Sequence, residues 1–278
     1  MSDASFQEIE GIRCYAPQVA LDCADYPSDG FDVSADVEAR SFWCRTRNRV
    51  LRQVFERFID RSQPREVLEI GCGIGGVIGS LRQIPNLRLT GSEIYIQGLR
   101  YARAKMPDVE FIQLDATAIP FRDAFDVVGA FDVLEHIDDD ELVMRQVCAS
   151  LRPDGFFVVT VPQYQWMWST LDTLVHHKRR YSRRELTSKL RAAGFDVIYV
   201  TSFVTTLFPF MLVSRLRDRG RPSVDAKAEF SEWVSLPGAL NRLFDWMTRL
   251  DEVALKLGLT LPFGGSLLAV ARRSSTHQ

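Results

Sequence analysis

The residues best placed to do chemistry in this 278-residue chain begin with a glycine-rich turn, Gly71-Cys72-Gly73-Ile74-Gly75-Gly76. The apolar run before the turn indicates a buried strand, and the run after it indicates a helix. Glycines let the backbone approach a ligand closely, and a helix N-terminus offers N–H groups to an anionic or polar group. The pattern predicts a nucleotide-type cofactor loop, with Cys72 packed as a small residue beneath the ligand.

Acidic residues lie in or at the ends of three predicted parallel strands, where they could bind the same ligand as the glycine loop. Glu69 lies in the strand before the glycines, Glu93 ends the second strand, and Asp115 ends the third. The carboxyl ends of parallel strands meet at one edge of the sheet, where cofactors bind. A carboxylate at the position of Glu93 can accept hydrogen bonds from both ribose hydroxyls. The glycine spacing also fits the dinucleotide fingerprint, so the loop alone leaves a nicotinamide-dependent oxidoreductase open.

Motifs in the right order over residues 42–161 resemble the class I, Rossmann-like S-adenosylmethionine-dependent methyltransferases. They include the acid before the glycine loop, the acids after strands two and three, and the string D-V-L-E-H-I at 132–137. That string is similar to small-molecule methyltransferases and stands where many enzymes that methylate base or amide nitrogens have N-P-P-Y. The resemblance implies an α/β fold: a seven-stranded, mostly parallel sheet with an antiparallel last strand.

The resemblance also implies S-adenosyl-L-methionine as the cofactor. The acid and first two glycines of the loop would hold the methionine end, Glu93 the ribose, and Asp115 with Ala116 the adenine. In some members an arginine of a leader helix reaches the cofactor carboxylate. Arg47 is the candidate here, and a solvated helix charge is the alternative. The expected cofactor-binding residues are Arg47, Glu69, Gly71, Cys72, Gly73, Glu93, Ile94, Asp115, Ala116, Phe131 and His136.

A second candidate group follows the fifth strand, where Asp172 and His177 precede Arg179 and Arg180. This spacing resembles a methyltransferase subgroup often found with glycan and secondary-metabolite pathways. Histidine ordinarily titrates near neutral pH, and beside an aspartate it can take a proton from an acceptor hydroxyl or acid. His177 is the predicted base, while His136 is expected by resemblance near the transferred methyl. The two arginines could hold a carboxylate or phosphate of the acceptor, and a solvated basic turn is the alternative.

Aromatic side chains predict an acceptor pocket beside this group. Tyr164, Trp166 and Trp168 leave the fifth strand at the cofactor edge of the sheet. Loops at that edge line ligand pockets, and large rings suit an apolar or ring-bearing acceptor. A loop pinned by its aromatic residues onto its own sheet is the alternative.

About sixty residues separate the sixth strand from the last strand, where this fold ordinarily has a short turn. The insertion is too apolar for disorder, and it predicts a helical lid in which Phe208 and Met211 contact an apolar acceptor. Dimerisation or membrane-surface contact is the competing use of its apolar surface. The expected organisation is an arm and leader helix at 1–60, a cofactor-binding core at 61–201, the insertion at 202–264, and the last strand and tail at 265–278. A long helix in the insertion is expected to have an apolar face made of Leu240, Leu243, Phe244, Met247, Leu250, Ala254 and Leu257.

Composition excludes several classes of function. The net charge of −2 gives no global basic field, so no nucleic-acid partner is expected. The five cysteines are odd in number and lack C-x-x-C spacing, which speaks against disulfides and zinc. The acidic run at 138–141 is typical of the first turn of a helix, so no metal is expected. Neither a signal peptide nor a membrane span is visible, and a cytoplasmic location is expected.

Together the patterns predict methyl transfer from S-adenosylmethionine to a small or lipophilic acceptor of natural-product, glycan or lipid type, at oxygen. Two alternatives stay open. One is the nicotinamide-dependent oxidoreductase, and the other is a non-catalytic subunit that binds S-adenosylmethionine without consuming it.

Overall fold

The computed structural model describes residues 5–21, 38, 40–218 and 236–275, and a single sheet runs through these residues. Its strands are β1 (Gln7–Ile9), β2 (Ile12–Cys14), β3 (Arg65–Ile70), β4 (Leu87–Glu93), β5 (Glu110–Gln113), β6 (Phe125–Phe131), β7 (Leu151–Pro162), β8 (Phe195–Phe203) and β9 (Ser266–Arg273). They lie in the order β1-β2-β5-β4-β3-β6-β7-β9-β8. From β2 to β7 neighbouring strands are parallel, whereas β9 is antiparallel to both β7 and β8.

Helices cover both faces of the sheet. They are α1 (Phe42–Phe58), α2 (Gly76–Leu81), α3 (Ile96–Lys105), α4 (Asp140–Ser150), α5 (Thr170–Leu174), α6 (Arg183–Ala192), α7 (Phe208–Asp218) and α8 (Gly238–Lys256). Side-chain caps set several of their starts: Ser41 accepts from Trp43 N, Asp139 from Leu142 N, and Ser182 from Glu185 N.

The core is split into layers by the two-residue period of the strands. In β3, Leu68 and Ile70 pack on the layer that contains α4 and α6, while Val67 packs on the layer that contains α1, α2 and the buried Leu255 of α8. A strand buried on both faces needs apolar residues at successive positions, which is why these segments read as continuous apolar runs. Because the helices pack on the two faces of the sheet, the carboxyl ends of the parallel strands remain available for ligand binding.

The predicted fold is confirmed, with two strands more than expected. The sequence predicted an N-terminal arm without strands, but β1 and β2 form a hairpin whose second strand pairs with β5. Ile12 and Cys14 are buried there, and Tyr15 N donates to Gln113 O at 2.9 Å. Strands of three residues are too short to show an alternating pattern. The rest of the acidic arm and the beginning of the leader-helix pattern, residues 22–37, lie outside the described residues.

Helix α8 corrects part of the expected apolar face. Phe244 and Met247 of that face pack on the core, whereas Leu243, Leu250 and Leu257 are exposed. The buried residues of the helix are mostly polar or charged, namely Thr248, Asp251 and Glu252 with Leu255. The reason is that α8 packs on α1 through ion pairs, with Arg49 donating to Glu252 at 2.7 Å. Among the described residues, none of the helices is both long and apolar enough to cross a bilayer.

Candidate active site

The glycine loop leaves an open cradle above β3. Gly71 has φ 66°, and a β-carbon there would lie 2.5 Å from Val133 Cγ2, so only glycine fits. Gly73 has φ 53° but would meet no atom within 4 Å, so its backbone borders empty space. Cys72 is buried beneath the loop, and burial raises the pKa of its thiol well above the ordinary value. An inert thiol below and open space above fit a loop shaped for a ligand.

Two buried ionisable side chains near this loop have atoms without partners. Glu69 Oε2 and Arg47 Nε are both buried and make no hydrogen bond. Arg47 Nη1 donates to Asp132 Oδ2 at 3.1 Å, and its guanidinium lies 4.9 Å from the Trp43 ring centroid. Burial raises the pKa of Glu69 to about 8, with the nearby Arg47 charge opposing that rise. An orphaned buried carboxyl oxygen and an orphaned buried guanidinium nitrogen fit a ligand that carries both an ammonium and a carboxylate group.

Glu38 and Asp132 contribute to this site and were missed by sequence reasoning. Glu38 lies against the loop and accepts a hydrogen bond from the Gly76 backbone, and burial raises its pKa. Asp132 is the partner of Arg47. Asp132 belongs to the D-V-L-E-H-I string, so its position after a strand was a usable signal, whereas Glu38 precedes the leader helix and belongs to none of the motifs.

The acids at the next two strand ends are held by backbone N–H groups. Glu93 Oε1 accepts from Ile94 N at 2.7 Å, and its Oε2 accepts from Gly73 N at 3.0 Å. Asp115 Oδ1 accepts from Thr117 N at 2.8 Å, which leaves Oδ2 available. These contacts aim both carboxyl groups along the carboxyl edge of the sheet. Of the other expected cofactor residues, Ala116 and Phe131 are buried and Ile94 is half-buried.

The predicted base, His177, belongs to a network of hydrogen bonds around Asp172. His177 Nδ1 lies 2.8 Å from Asp172 Oδ1, and Arg180 grips the same carboxylate through Nε at 2.7 Å and Nη2 at 3.0 Å. Ser169, at the start of α5, donates to Asp172 Oδ2 at 2.9 Å. Although burial raises it, hydrogen bonds from His177 and Arg180 hold the pKa of Asp172 far below its usual range. Because an ionised Asp172 can only accept, His177 donates to it from Nδ1–H. The neutral imidazole then carries its lone pair on Nε2.

Glu135 was not singled out from the sequence, yet it faces this histidine. Its carboxyl group is completely buried, neither oxygen has a hydrogen-bond partner, and Oε1 lies 3.9 Å from His177 Nε2. Burial raises the pKa of Glu135 well above its ordinary value. The His136 ring meets the His177 ring edge-on at 4.7 Å between centroids. Burial lowers the pKa of His136 to about 4, and the nearby imidazoles of His177 and His176 add to this shift.

Glu135, His136 and His177 each offer a metal-ligand atom within 4.8 Å of the other two. This is the one set of metal donors found among the described residues, and the acidic run at 138–141 is not part of it. Asp139 caps α4, and Asp140 is buried in contacts with Arg179, Lys189 and the Tyr181 hydroxyl. Arg179 and Arg180 therefore both hold carboxylates of this chain.

The aromatic residues after β7 meet the insertion. Tyr164 stacks on Trp166 at 5.3 Å, and the ring of Phe208 lies 5.8 Å from Tyr164 and 6.1 Å from Trp166. Phe263, at the other end of the insertion, contacts Phe208 at 5.4 Å. Trp168 donates from Nε1 to Thr173 at 3.2 Å, while Met211 lies beside Gly265. The loop is tied to the His177 network, because Arg180 Nη1 donates to Gln163 O at 3.2 Å.

Comparison with known proteins shows that this chain is similar to methyltransferases. The family model of a methyltransferase domain matches residues 42–200, more than half of the chain. A probable S-adenosylmethionine-dependent methyltransferase of Mycolicibacterium smegmatis is 31% identical over 184 residues, which cover 65% of this chain and 69% of that protein. The O-methyltransferase cnsE of Penicillium expansum is 30% identical over 226 residues, covering 77% and 76%.

Solved structures show the same fold. Phosphoethanolamine N-methyltransferase 2 of Haemonchus contortus, in complex with S-adenosyl-L-methionine, matches with a TM-score of 0.59 at 18% identity. The match covers 91% of this chain and 59% of that one. The open cradle and the orphaned Glu69 and Arg47 atoms fit the zwitterionic methionine end of that cofactor. The nicotinamide-dependent alternative is thereby set aside, and the chain belongs to the class I S-adenosylmethionine-dependent methyltransferases.

Proposed function

We propose that this enzyme methylates an oxygen atom of a small or lipophilic acceptor. The observation that carries the proposal is the Asp172–His177 pair, with Nδ1 held at 2.8 Å and Nε2 facing the buried Glu135. An alcohol or phenol is a weak nucleophile until it loses its proton, so a positioned base is useful for O-methylation. The relationship to an enzyme named as an O-methyltransferase supports the same choice.

The cofactor supplies an electrophilic methyl group on sulfonium. On this proposal Glu69 and Arg47 bind its ammonium and carboxylate groups, Glu93 binds the ribose, and Asp115 binds the adenine amine. Held by these side chains at the carboxyl edge of the sheet, the cofactor would have one fixed orientation. Orientation of two reactants in this way accounts for a large part of the rate in a direct displacement.

His177 takes the proton of the acceptor hydroxyl on Nε2, and the resulting imidazolium is stabilised by the ionised Asp172. Arg180 serves as a positioning residue, because its two hydrogen bonds keep the carboxylate in place. Burial raises the pKa of Glu135 well above its ordinary value, and its two unpartnered oxygens lie close to His177 Nε2, where the acceptor hydroxyl is placed by this proposal. Arg179 stabilises the start of α4 through Asp140, which leaves acceptor binding to the aromatic side chains.

Residues 202–264 act as a lid over the acceptor pocket. Support comes from the ring contacts that join Phe208 and Phe263 of the insertion to Tyr164 and Trp166 of the pocket loop. An acceptor bound among these four rings is apolar or carries an apolar part. Residues 219–235 of the proposed lid lie outside the described residues, and the cytoplasmic location stays a prediction.

An acceptor panel tests the proposal. Matched compounds that differ only in a hydroxyl, amine or thiol, each with a short and a long alkyl or isoprenoid chain, should be compared by kcat/KM. Hydroxyl acceptors with the longer chain should be preferred. Preference for the amine would reassign the atom methylated, and equal rates for short and long chains would contradict an apolar pocket.

A further inference from the structure

Helix α8 exposes a long apolar stripe. Leu243, Trp246, Leu250, Val253 and Leu257 follow one another at intervals of three and four residues, and their exposed fractions are 49%, 64%, 57%, 56% and 74%. The first four lie within α8, and Leu257 caps its C-terminus. A contiguous apolar strip of this length on a protein surface marks an interaction site.

The polar side of α8 anchors the helix and fixes which face points outward. Asp245 accepts hydrogen bonds from Arg45 at 3.2 Å and from Arg49 at 3.0 Å. Thr46 and Thr248 hydroxyls meet at 2.7 Å between the two helices. Turning the apolar stripe inward would break these contacts and leave Arg45 and Arg49 of α1 against apolar side chains without their acidic partners, so the exposed stripe is the stable arrangement.

The outward face is also basic. Arg242, Arg249 and Lys256 are exposed, stand seven residues apart, and each directly precedes a leucine of the stripe. All three acids of α8, by contrast, lie on the anchored side with side-chain exposures of 17% or less, as the ion pairs and burial show for Asp245, Asp251 and Glu252. The face therefore combines large apolar side chains with positive charge and no negative charge.

Positive charge continues beyond the end of the helix. The loop after α8 carries the exposed Leu259, whose carbonyl accepts from the Tyr199 hydroxyl at 3.3 Å. Tyr199 lines a surface cavity of about 540 Å³ whose basic lining residues are Arg183, Arg184 and Arg191. A partner that covers the stripe and this loop meets arginines at both places.

A second copy of the chain fits this pattern poorly. Leucines spaced by seven also occur in paired helices, where charged residues beside the seam need opposite charges across it. In α8 the positions that would face Arg242, Arg249 and Lys256 in such a pair are Met247 and Ala254, so the contact would gather positive charge without acids. A lipid surface with anionic headgroups supplies both the apolar environment and the opposite charge.

We propose that the outward face of α8, from Arg242 to Leu259, docks this methyltransferase on an anionic lipid surface. The helix lies in the plane of the interface, with Trp246 and the leucines among the acyl chains and the basic residues at headgroup level. This placement goes beyond the proposed reaction, and lipid binding is measured without turnover.

The test is flotation of the full chain with vesicles of phosphatidylcholine alone and of phosphatidylcholine with phosphatidylglycerol. Binding should require phosphatidylglycerol, weaken at high salt, and shift tryptophan emission to shorter wavelength. The double variant Trp246→Ser/Leu250→Ser and the charge variant Arg242→Glu/Arg249→Glu should each weaken vesicle binding by about tenfold or more. Both variants change exposed side chains, and cofactor binding reports that they stay folded.

Leu21→Ser provides the matched control, because Leu21 is 58% exposed and lies in the N-terminal segment rather than on the insertion. It should float as the unmodified chain does. Equal flotation of the α8 variants, or no flotation of the unmodified chain with either vesicle, overturns the proposal. Sedimentation that shows a dimer broken by Trp246→Ser/Leu250→Ser also overturns it and assigns the face to a second copy.

Discussion

At the scale of single residues, the proposed cofactor site rests on the unpaired buried atoms of Glu69 and Arg47. Burial raises the pKa of Glu69 to about 8, so in the free protein this carboxyl is mostly protonated at pH 7. A bound ammonium group favours the ionised form and lowers that pKa. Cofactor binding at pH 7 should therefore release a proton, and affinity should rise as the pH approaches 8 from below.

Calorimetric titrations at pH 7 in phosphate and in Tris measure this proton directly. The observed enthalpies should differ in proportion to the ionisation heats of the two buffers, and Glu69→Gln should remove most of the difference. Equal enthalpies in both buffers would show that Glu69 is already ionised or does not meet the ammonium group.

Glu93→Ala should weaken S-adenosylmethionine binding by about 1.5–3 kcal/mol, which is the usual loss for hydrogen bonds to a charged acceptor. Calorimetry gives the affinity, and Asp108→Ala serves as the control because it removes an exposed carboxylate that pairs with Arg82 on the surface. An unchanged affinity for Glu93→Ala would refute the ribose assignment.

His177→Ala should lower turnover by about 10²–10⁴ while cofactor affinity stays the same, because a general base acts on the acceptor only. His136→Ala should instead disturb the cofactor side of the pocket. His176→Asn is a matched control, since His176 is exposed and has φ 58°, a conformation that asparagine tolerates. Collapse of cofactor binding in His177→Ala, with full turnover in His136→Ala, would reverse the two roles.

Chelator-treated enzyme should keep its turnover, because the expected chemistry uses no metal. Loss of turnover that Zn²⁺ restores would instead show that Glu135, His136 and His177 hold a cation.

Strand-end residues were predictable from the sequence because their placement follows from local pattern. Glu93 and Asp115 each end an apolar run, and parallel strands bring such ends to one edge. Glu135 and Asp132 were harder to recognise. Their significance depends on Arg47 and His177, which lie far away in sequence, and burial without partners appears only when the chain is folded.

At the scale of elements, α7 contacts the pocket loop through Phe208, which meets Tyr164 and Trp166. Replacing Phe208 and Met211 by Ser should raise the acceptor KM several-fold with little change in cofactor affinity, because apolar contact to the acceptor is lost while the glycine loop is untouched. Phe210→Ser is the control on the same helix, since Phe210 is 55% exposed. A rise in KM for the control alone would place the pocket on the other side of α7.

The orientation of α8 could not be predicted from its sequence. Its leucines trace one face, and the ordinary expectation is that such a face is buried. Phe244 does pack on Phe42 of α1, but the ion pairs of Arg45 and Arg49 with Asp245 and Glu252 turn the leucines away from α1. Charge complementarity between helices distant in sequence is invisible to a periodicity argument.

At the scale of the whole molecule, sheet topology was the most predictable feature. The acid-ended strands and intervening helices require a parallel sheet, and the antiparallel last strand followed from the family resemblance. The N-terminal hairpin was missed because β1 and β2 are short and are stabilised by pairing with β5. The fold brings the glycine loop, the strand-end acids and the aromatic loop after β7 to the carboxyl edge of the sheet, where the proposed methyl transfer takes place.

The most direct test of methyl transfer to an acceptor oxygen is mass spectrometry of products formed by the isolated chain. The chain is given S-adenosylmethionine with an isotope-labelled methyl group together with a cell extract. Label should appear in a small, lipophilic product as an oxygen-linked methyl, and Glu93→Ala and His177→Ala should each abolish most of it. Cofactor binding without any labelled product would contradict the account and favour a non-catalytic subunit, and label found on nitrogen would contradict the choice of acceptor atom.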